Sequence, residues 1–232
     1  MEVVNQNRAW KIADRFKPFI IQGFQDIRDL ITPIHFGDYI PSLPATVYFS
    51  VKEDKENKLT FVYYYFFHRE DFSTSENYLI KKLDSHELDF EGVMMVLPYN
   101  LSSPFTHCQM LATQSHHDIK IYDYPYMRYG RIGLYIEPEG HGITLCPIDN
   151  PPVDHISYWN YGLTNMETPR FQKAWPKYKE IFNKHGVTMP DQVNDFKIKR
   201  KFGRQSDGLI YTNPVKFIEY AEECLLKDSR CL

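Results

Sequence analysis

The sequence has no basic excess. Its 27 Lys and Arg residues face 30 Asp and Glu, for a formal net charge of -3, so little is in place to neutralise a phosphate backbone, and nucleic acid is excluded as the main partner. The one basic run, KIKRKFGR at 197–204, is too short to reverse this. Long apolar runs are also missing. No stretch approaches the roughly 20 residues that a spanning helix needs, which excludes a transmembrane helix. The opening MEVVNQNRAWKIADRFK shows no apolar core behind a positive head. As it stands, the sequence is expected to be soluble and cytoplasmic, or secreted if a signal peptide has been removed ahead of it. Cysteine is scarce. Cys108, Cys146, Cys224 and Cys231 show no CxxC or zinc-ribbon spacing, so reduced thiols are expected, with Cys224 and Cys231 able to pair in an exported protein. A GxSxG elbow, a GxxxxGK loop, a GxGxxG turn and an HExxH helix motif are absent as well, which removes the corresponding hydrolase, nucleotide-binding and zincin readings.

Aromatic residues, by contrast, are abundant, with 17 Tyr and 16 Phe among 232 residues. Such side chains suit half-buried pleated surfaces. ATVYFSV and LTFVYYYFF flank the polar turn EDKENK and predict a β-hairpin with aromatic arms. HREDFSTSENYLIKKLDS follows as a polar loop, and FEGVMMVLPY as a strand. HCQMLATQSHHDIKIYDY predicts two strands interrupted at SHHD, and RIGLYIEPEGHGITL a strand broken at PEG. Helices are expected at both ends. In RAWKIADRFKPFIIQGF, Trp10, Ala13 and Phe16 fall at helical spacing, and Pro18 ends or bends the helix. TPRFQKAWPKYKEIFNKHG has start signals at Thr168 and Pro169, a stop at Gly186, and Phe171, Trp175, Tyr178 and Phe182 on one face, with Pro176 as a candidate kink. In NPVKFIEYAEECLLKD, Asn213 is the expected N-cap and Pro214 the first helical residue, with Phe217, Ile218, Ala221 and Leu225 forming the apolar face. The fold class is therefore α+β, mainly β. A single domain over 1–232 is expected, with a flanking helical segment at 1–30, an antiparallel β-sandwich core over 45–148 and a helical part over 165–228.

Three clusters of polar residues do not fit a plain core. In DSHELDFEGVMMVL, Asp89 and Glu91 share one face of a strand by the two-residue period, about 7 Å apart along the backbone, and His86 sits three residues before Asp89. Paired carboxylates repel unless a cation or an Arg compensates them. The other clusters interrupt strands: SHHD with His116, His117 and Asp118, and PEGHG with Glu139 and His141. Loops that break strands are typical places for functional side chains. A carboxylate-rich set with one or two imidazoles favours Mg, Ca or Mn, whereas two His and one carboxylate with open positions would suit Zn or Fe(II).

The order YYYFFHRED, SHELDFEGVMMV, LATQSHHD, LYIEPEGHG resembles that of the necrosis- and ethylene-inducing-like cytolysins. Their hallmark is a Gly-His-Arg-His-Asp-Trp-Glu heptapeptide after an aromatic strand that ends in Lys-Asp. Ser85 to Glu91 occupy the similar positions. His86, Asp89 and Glu91 match the members tied to the metal, while Ser85, Leu88 and Phe90 replace Gly, the second His and Trp. The resemblance covers about residues 60–145. It implies a β-sandwich with flanking helices, an earlier acidic ligand at Asp71 or, as the second choice, Glu70, and a divalent cation in an acidic cavity that engages sugar head groups of membrane lipids. The site expected on these grounds has Asp71, His86, Asp89 and Glu91 as metal ligands and His116, His117 and His141 as candidate acids or bases. Two functions follow: a metal-dependent enzyme, of hydrolase or lyase type, acting on a small polar or sugar-like substrate, or a non-enzymatic cytolysin-like module with peripheral membrane contact.

Overall fold

The computed structural model of the protein describes residues 2–25, 29–32, 45–71, 86–115, 118–146, 154–184 and 213–227, with the backbone alone at 3, 70–71, 86–88, 90, 118, 179, 181–183, 221 and 223–227. The strands are β1 Glu2–Val3, β2 Phe19–Gly23, β3 Thr46–Asp54, β4 Leu59–Asp71, β5 His86–Pro98, β6 Met110–Ser115, β7 Asp118–Asp123, β8 Gly133–Ile136, β9 Ile143–Leu145, β10 His155–Tyr158 and β11 Gly162–Asn165. The helices are α1 Gln6–Phe16, α2 Pro169–Lys184 and α3 Pro214–Lys227. They assemble as a seven-stranded sheet in the order β1-β3-β4-β5-β6-β7, with β11 also on β3, and a four-stranded sheet in the order β10-β2-β8-β9. All strand pairs are antiparallel except β11 with β3 and β2 with β8. No helix among the described residues is long and apolar enough to cross a membrane.

Side-chain alternation builds three layers. Val62, Tyr64 and Phe66 of β4 and Val93, Met95 and Leu97 of β5 point inward, where they meet Ile20, Leu134, Ile136 and Ile143 of the small sheet and Ala9, Ile12, Ala13 and Phe16 of α1. The alternate residues, Phe61, Tyr63, Tyr65 and Phe67 with Met94 and Val96, face the other way and are covered by Phe171 and Trp175 of α2 and Phe217 of α3. Both faces of the central strands are buried, which is why VYYYFF shows no polar alternation. The expected hairpin, the break at SHHD and the break at PEG all stand.

The helix caps form as expected. Asn213 Oδ1 accepts from Lys216 N at 3.1 Å, and Thr168 Oγ1 accepts from Phe171 N at 3.3 Å. At the N-terminus the helix ends just before Pro18, as expected, and the structure departs from expectation beyond it. Helix α1 stops at Phe16, with Lys17 as its C-cap, and beyond Pro18 the segment FIIQG is a fully buried strand of the small sheet. The Pro18 ring cannot continue the helix, and a five-residue strand buried at every position, Gln22 included, has no alternation to announce it. Trp10 lies exposed, because the buried stripe of α1 runs through Ala9, Ile12, Ala13 and Phe16 instead. The expected stop at Gly186 lies outside the described residues, as do Cys231 and the side chains of Phe182, Ala221, Cys224 and Leu225.

Candidate metal centre

At one end of the sandwich interior the apolar columns of three strands turn polar. The inward face of β4 continues from Val62, Tyr64 and Phe66 to His68, and that of β5 runs back from Val93 through Glu91 to Asp89. The register places His68 opposite Asp89 and Phe66 opposite Glu91. The small sheet adds Gln22, one inward position beyond Ile20. The turn between β8 and β9 adds His141. Asp29, from the segment after β2, closes the group. Gln22, Asp29, His68, Asp89, Glu91 and His141 are all buried.

The hydrogen bonds fix the chemistry of His68. Gln22 Nε2 faces three carbonyls, those of Gly23 at 3.0 Å and of Ile136 and Glu137 at 3.5 Å, so its Oε1 is the atom turned to His68 Nε2 at 3.2 Å. An acceptor there requires that Nε2 carry the proton. The Nδ1 atom of His68 then presents its lone pair. It makes no hydrogen bond among the described residues and lies 4.0 Å from Asp89 Oδ2. Burial pushes the His68 imidazole well below the ordinary histidine range, and the charge of His141 adds to that, against the opposite pull of Asp89 and Asp29. A neutral ring therefore faces a carboxylate lone pair to lone pair, away from water, an arrangement that a cation between them would relieve.

His141 is held between two acids. Its Nδ1 is 3.0 Å from Asp89 Oδ2 and its Nε2 is 3.6 Å from Asp29 Oδ1. Its ring stacks on that of His68 with centroids 3.8 Å apart and planes within 4° of parallel. The turn that delivers it is bent. Glu139 and His141 both have left-handed backbones, with φ of 70° and 52°, a conformation that bulky residues rarely adopt outside sites that need it. Asp29 fastens this turn, accepting from Glu139 N at 2.7 Å and from Gln25 N at 2.8 Å.

His68, Asp89 and His141 each offer a ligand atom, and the three atoms lie within 4.8 Å of one another. Two imidazoles, backed by Gln22 and Asp29, and one carboxylate make a donor set of the kind that suits zinc or other transition metals. The set is richer in imidazole than the acid-led group expected from sequence. Parallel ring planes cannot both contain one ion, so metal uptake by all three requires one ring to tilt out of the stack.

The expected site residues therefore divide. Asp89 and His141 come together, and Glu91 is buried on the same face as Asp89, one inward position away. The backbones of Asp71 and His86 are ladder partners, three pairs beyond His68 and Asp89, or about 10 Å by strand rise. His116 and His117 lie outside the described residues. Sequence reasoning missed His68, Gln22 and Asp29. The signal for His68 was present: HRED was assigned to a loop, although the stripe Val62, Tyr64, Phe66 reaches His68 on the next alternate position.

Two facing, mainly antiparallel sheets with helices over the outer face of the larger one define a β-sandwich of the α+β class. The particular sandwich is the one seen in the necrosis and ethylene inducing proteins. NLPPya in complex with glucosamine is 15% identical with a TM-score of 0.52, the match covering 91% of this chain and 94% of that one. NLPPya in complex with mannosamine is 15% identical with a TM-score of 0.50, covering 75% and 82%. The non-toxic HaNLP3 protein is 13% identical with a TM-score of 0.50, again covering 75% and 82%. No protein-family model and no curated protein matches the sequence. At such identities the likeness is one of fold.

Proposed function

We propose that the protein binds a divalent metal through His68, Asp89 and His141 and uses it to hold a small sugar-like ligand, without turnover. The observation that carries this reading is the buried Nδ1 of His68 facing Asp89 Oδ2 at 4.0 Å. The orientation of Gln22 supports it, since a ligating histidine commonly gives its other N–H to a carbonyl or carboxylate. A bound divalent ion would supply positive charge and open coordination positions for hydroxyl groups. Glu91, buried one inward position deeper than Asp89 on β5, is proposed as a further carboxylate beside the ion. Solved sandwiches of this fold in complex with glucosamine and mannosamine make an amino sugar the first ligand to try. Burial of His141 favours a ligand role over that of a rim acid or base, which sets the binding reading above the metal-dependent enzyme. His116 and His117 remain the proposed rim residues for that second reading.

The test is elemental analysis of purified wild-type protein beside His68→Ala and Asp89→Ala, before and after dialysis against zinc or manganese, followed by glucosamine titration of the loaded protein. Near-stoichiometric metal in the wild type, lost from both variants, is the expected result, with sugar binding only in the loaded form. Wild-type protein that takes up neither metal overturns the reading.

A further inference from the structure

At the opposite end of the sandwich, five of the seven large apolar side chains exposed among the described residues gather on three neighbouring loops. Phe105 lies between β5 and β6, Tyr124, Tyr126 and Tyr129 lie between β7 and β8, and Trp159 follows β10. Their exposure runs from 52% for Trp159 to 82% for Tyr129. Strand β5 carries Asp89 near its start and leads to the Phe105 loop at its end, so nine residues of strand, about 30 Å, separate this surface from the metal centre.

The loops are fastened to one another and to the sheet. Tyr124 N donates to Gln109 O at 2.9 Å, and Arg128 and Arg131 form a backbone bridge with bonds of 2.9 and 3.0 Å. Cys108 N lies 3.2 Å from Met127 Sδ. Trp159 packs on Phe19 with centroids 4.0 Å apart. Tyr124 and Tyr129 have left-handed backbones, with φ of 42° and 53°, so the fold keeps two bulky residues in an unfavourable conformation while their rings stand in water. Cations are interleaved with the rings. The Arg128 guanidinium lies 5.1 Å from the Tyr129 ring centre, Arg131 donates to Trp159 O at 3.2 Å, and Arg15 donates to Ser103 O at 2.6 Å and also to Leu101 O. The last turn of α1 and the Tyr124 loop hold Arg15, Lys17, Arg128 and Arg131 against Asp14 and Asp123, and Asp14 is paired with Lys17. The β3–β4 turn at the same end is balanced, Asp54 and Glu56 against Lys55 and Lys58, so the loops beside α1 leave this end locally basic on a chain of net charge -3.

Tyrosine and tryptophan rings set at loop tips, each with an apolar body and a polar edge, suit the boundary between lipid and water. Arginines beside them add attraction to anionic head groups. We propose that the loop end carrying Phe105, Tyr126, Tyr129 and Trp159 docks on an anionic phospholipid bilayer, with Arg128 and Arg131 meeting the head groups. Docked this way, the His68 centre faces away from the bilayer. The contact is independent of the metal-binding reading.

The experiment is co-sedimentation of the full chain with vesicles of phosphatidylcholine alone and of phosphatidylcholine with phosphatidylserine. The proteins compared are the wild type, the double variant Phe105→Ser/Tyr126→Ser, the double variant Arg128→Gln/Arg131→Gln, and His68→Ala. Thermal melts check that each variant is folded. Wild-type protein and His68→Ala are expected to pellet with the anionic vesicles and to be released by salt, while each double variant loses about tenfold or more in partitioning. Wild-type protein that stays in the supernatant with both vesicles overturns the proposal, as do folded double variants that sediment like the wild type. A concentration-dependent dimer without vesicles, abolished by Phe105→Ser/Tyr126→Ser, would instead assign the surface to a second copy of the chain.

Discussion

His68 and Cys108 are buried side chains whose ionisation is set by the same desolvation, with opposite consequences for pH. Burial holds the His68 imidazole below the ordinary histidine value of about 6.5. Between the lowered folded value and the unfolded one, the unfolded chain binds a proton that the folded metal-free protein does not, so stability rises with pH across that window and is fully present above about 6.5. Acidifying from neutrality should therefore cost the metal-free protein up to about 1.4 kcal/mol per pH unit from this one group. Urea midpoints from pH 7 downward, compared with those of His68→Gln, check this, and the variant is expected to show the shallower acid limb. Cys108 is fully buried and its Sγ donates to Met110 O at 3.0 Å. Burial pushes its thiol from 9.0 up to about 12. Here the stabilising window lies below the unfolded value and is lost as pH rises past about 9, because only the unfolded thiol ionises there. Since the thiolate is the reactive form, Cys108 is expected to resist alkylation in the native protein and to label on unfolding, as peptide mapping by mass spectrometry would show.

At the scale of elements, the site depends on how closely the end of β2 approaches the PEGHG turn. A methyl group on Gly23 would lie 2.6 Å from Pro138 Cδ and 2.7 Å from Tyr135 Oη, and Pro138 leads directly into the turn that carries His141. Gly23→Ala should therefore push the turn outward, destabilise the protein by about 1–3 kcal/mol as overpacking usually does, and weaken metal uptake without touching a ligand. Chemical denaturation together with metal titration separates the two effects, and unchanged uptake would show that the turn has another anchor. This contact is also where the sequence was least legible. The β3–β4 hairpin, strand β5 and the capped starts of α2 and α3 were readable because alternation, turn residues and caps are local signals. FIIQG carries none of these, so β2 was missed, and Gln22 with it. Asp89 and Glu91 were readable as one face of one strand. The meeting of Asp89 with His141 depends on a pairing between sheets that no spacing encodes.

Taken whole, the molecule divides its labour by layer. The large sheet buries aromatic residues on both faces, so the cluster under α2 and α3 and the interior that ends in the candidate metal centre share a backbone but few side chains. Trp175 and Phe171 belong to the outer layer, with rings 5.9 Å apart, whereas His68 and Asp89 belong to the inner one. Trp175→Ala should remove about 3–5 kcal/mol of stability by leaving a cavity beneath the helices, while metal stoichiometry in the folded fraction stays at the wild-type value. His68→Ala should do the reverse with respect to the metal, abolishing uptake while the helical layer keeps its packing. Sites in separate layers without shared partners add independently, so the double variant should lose stability by the sum of the two single losses, measured by urea denaturation in the metal-free state. A departure from that sum well beyond about 0.5 kcal/mol would mean that the helices grip the metal centre through the shared strands β4 and β5, and that binding at one end of the sandwich is felt by the layer outside it.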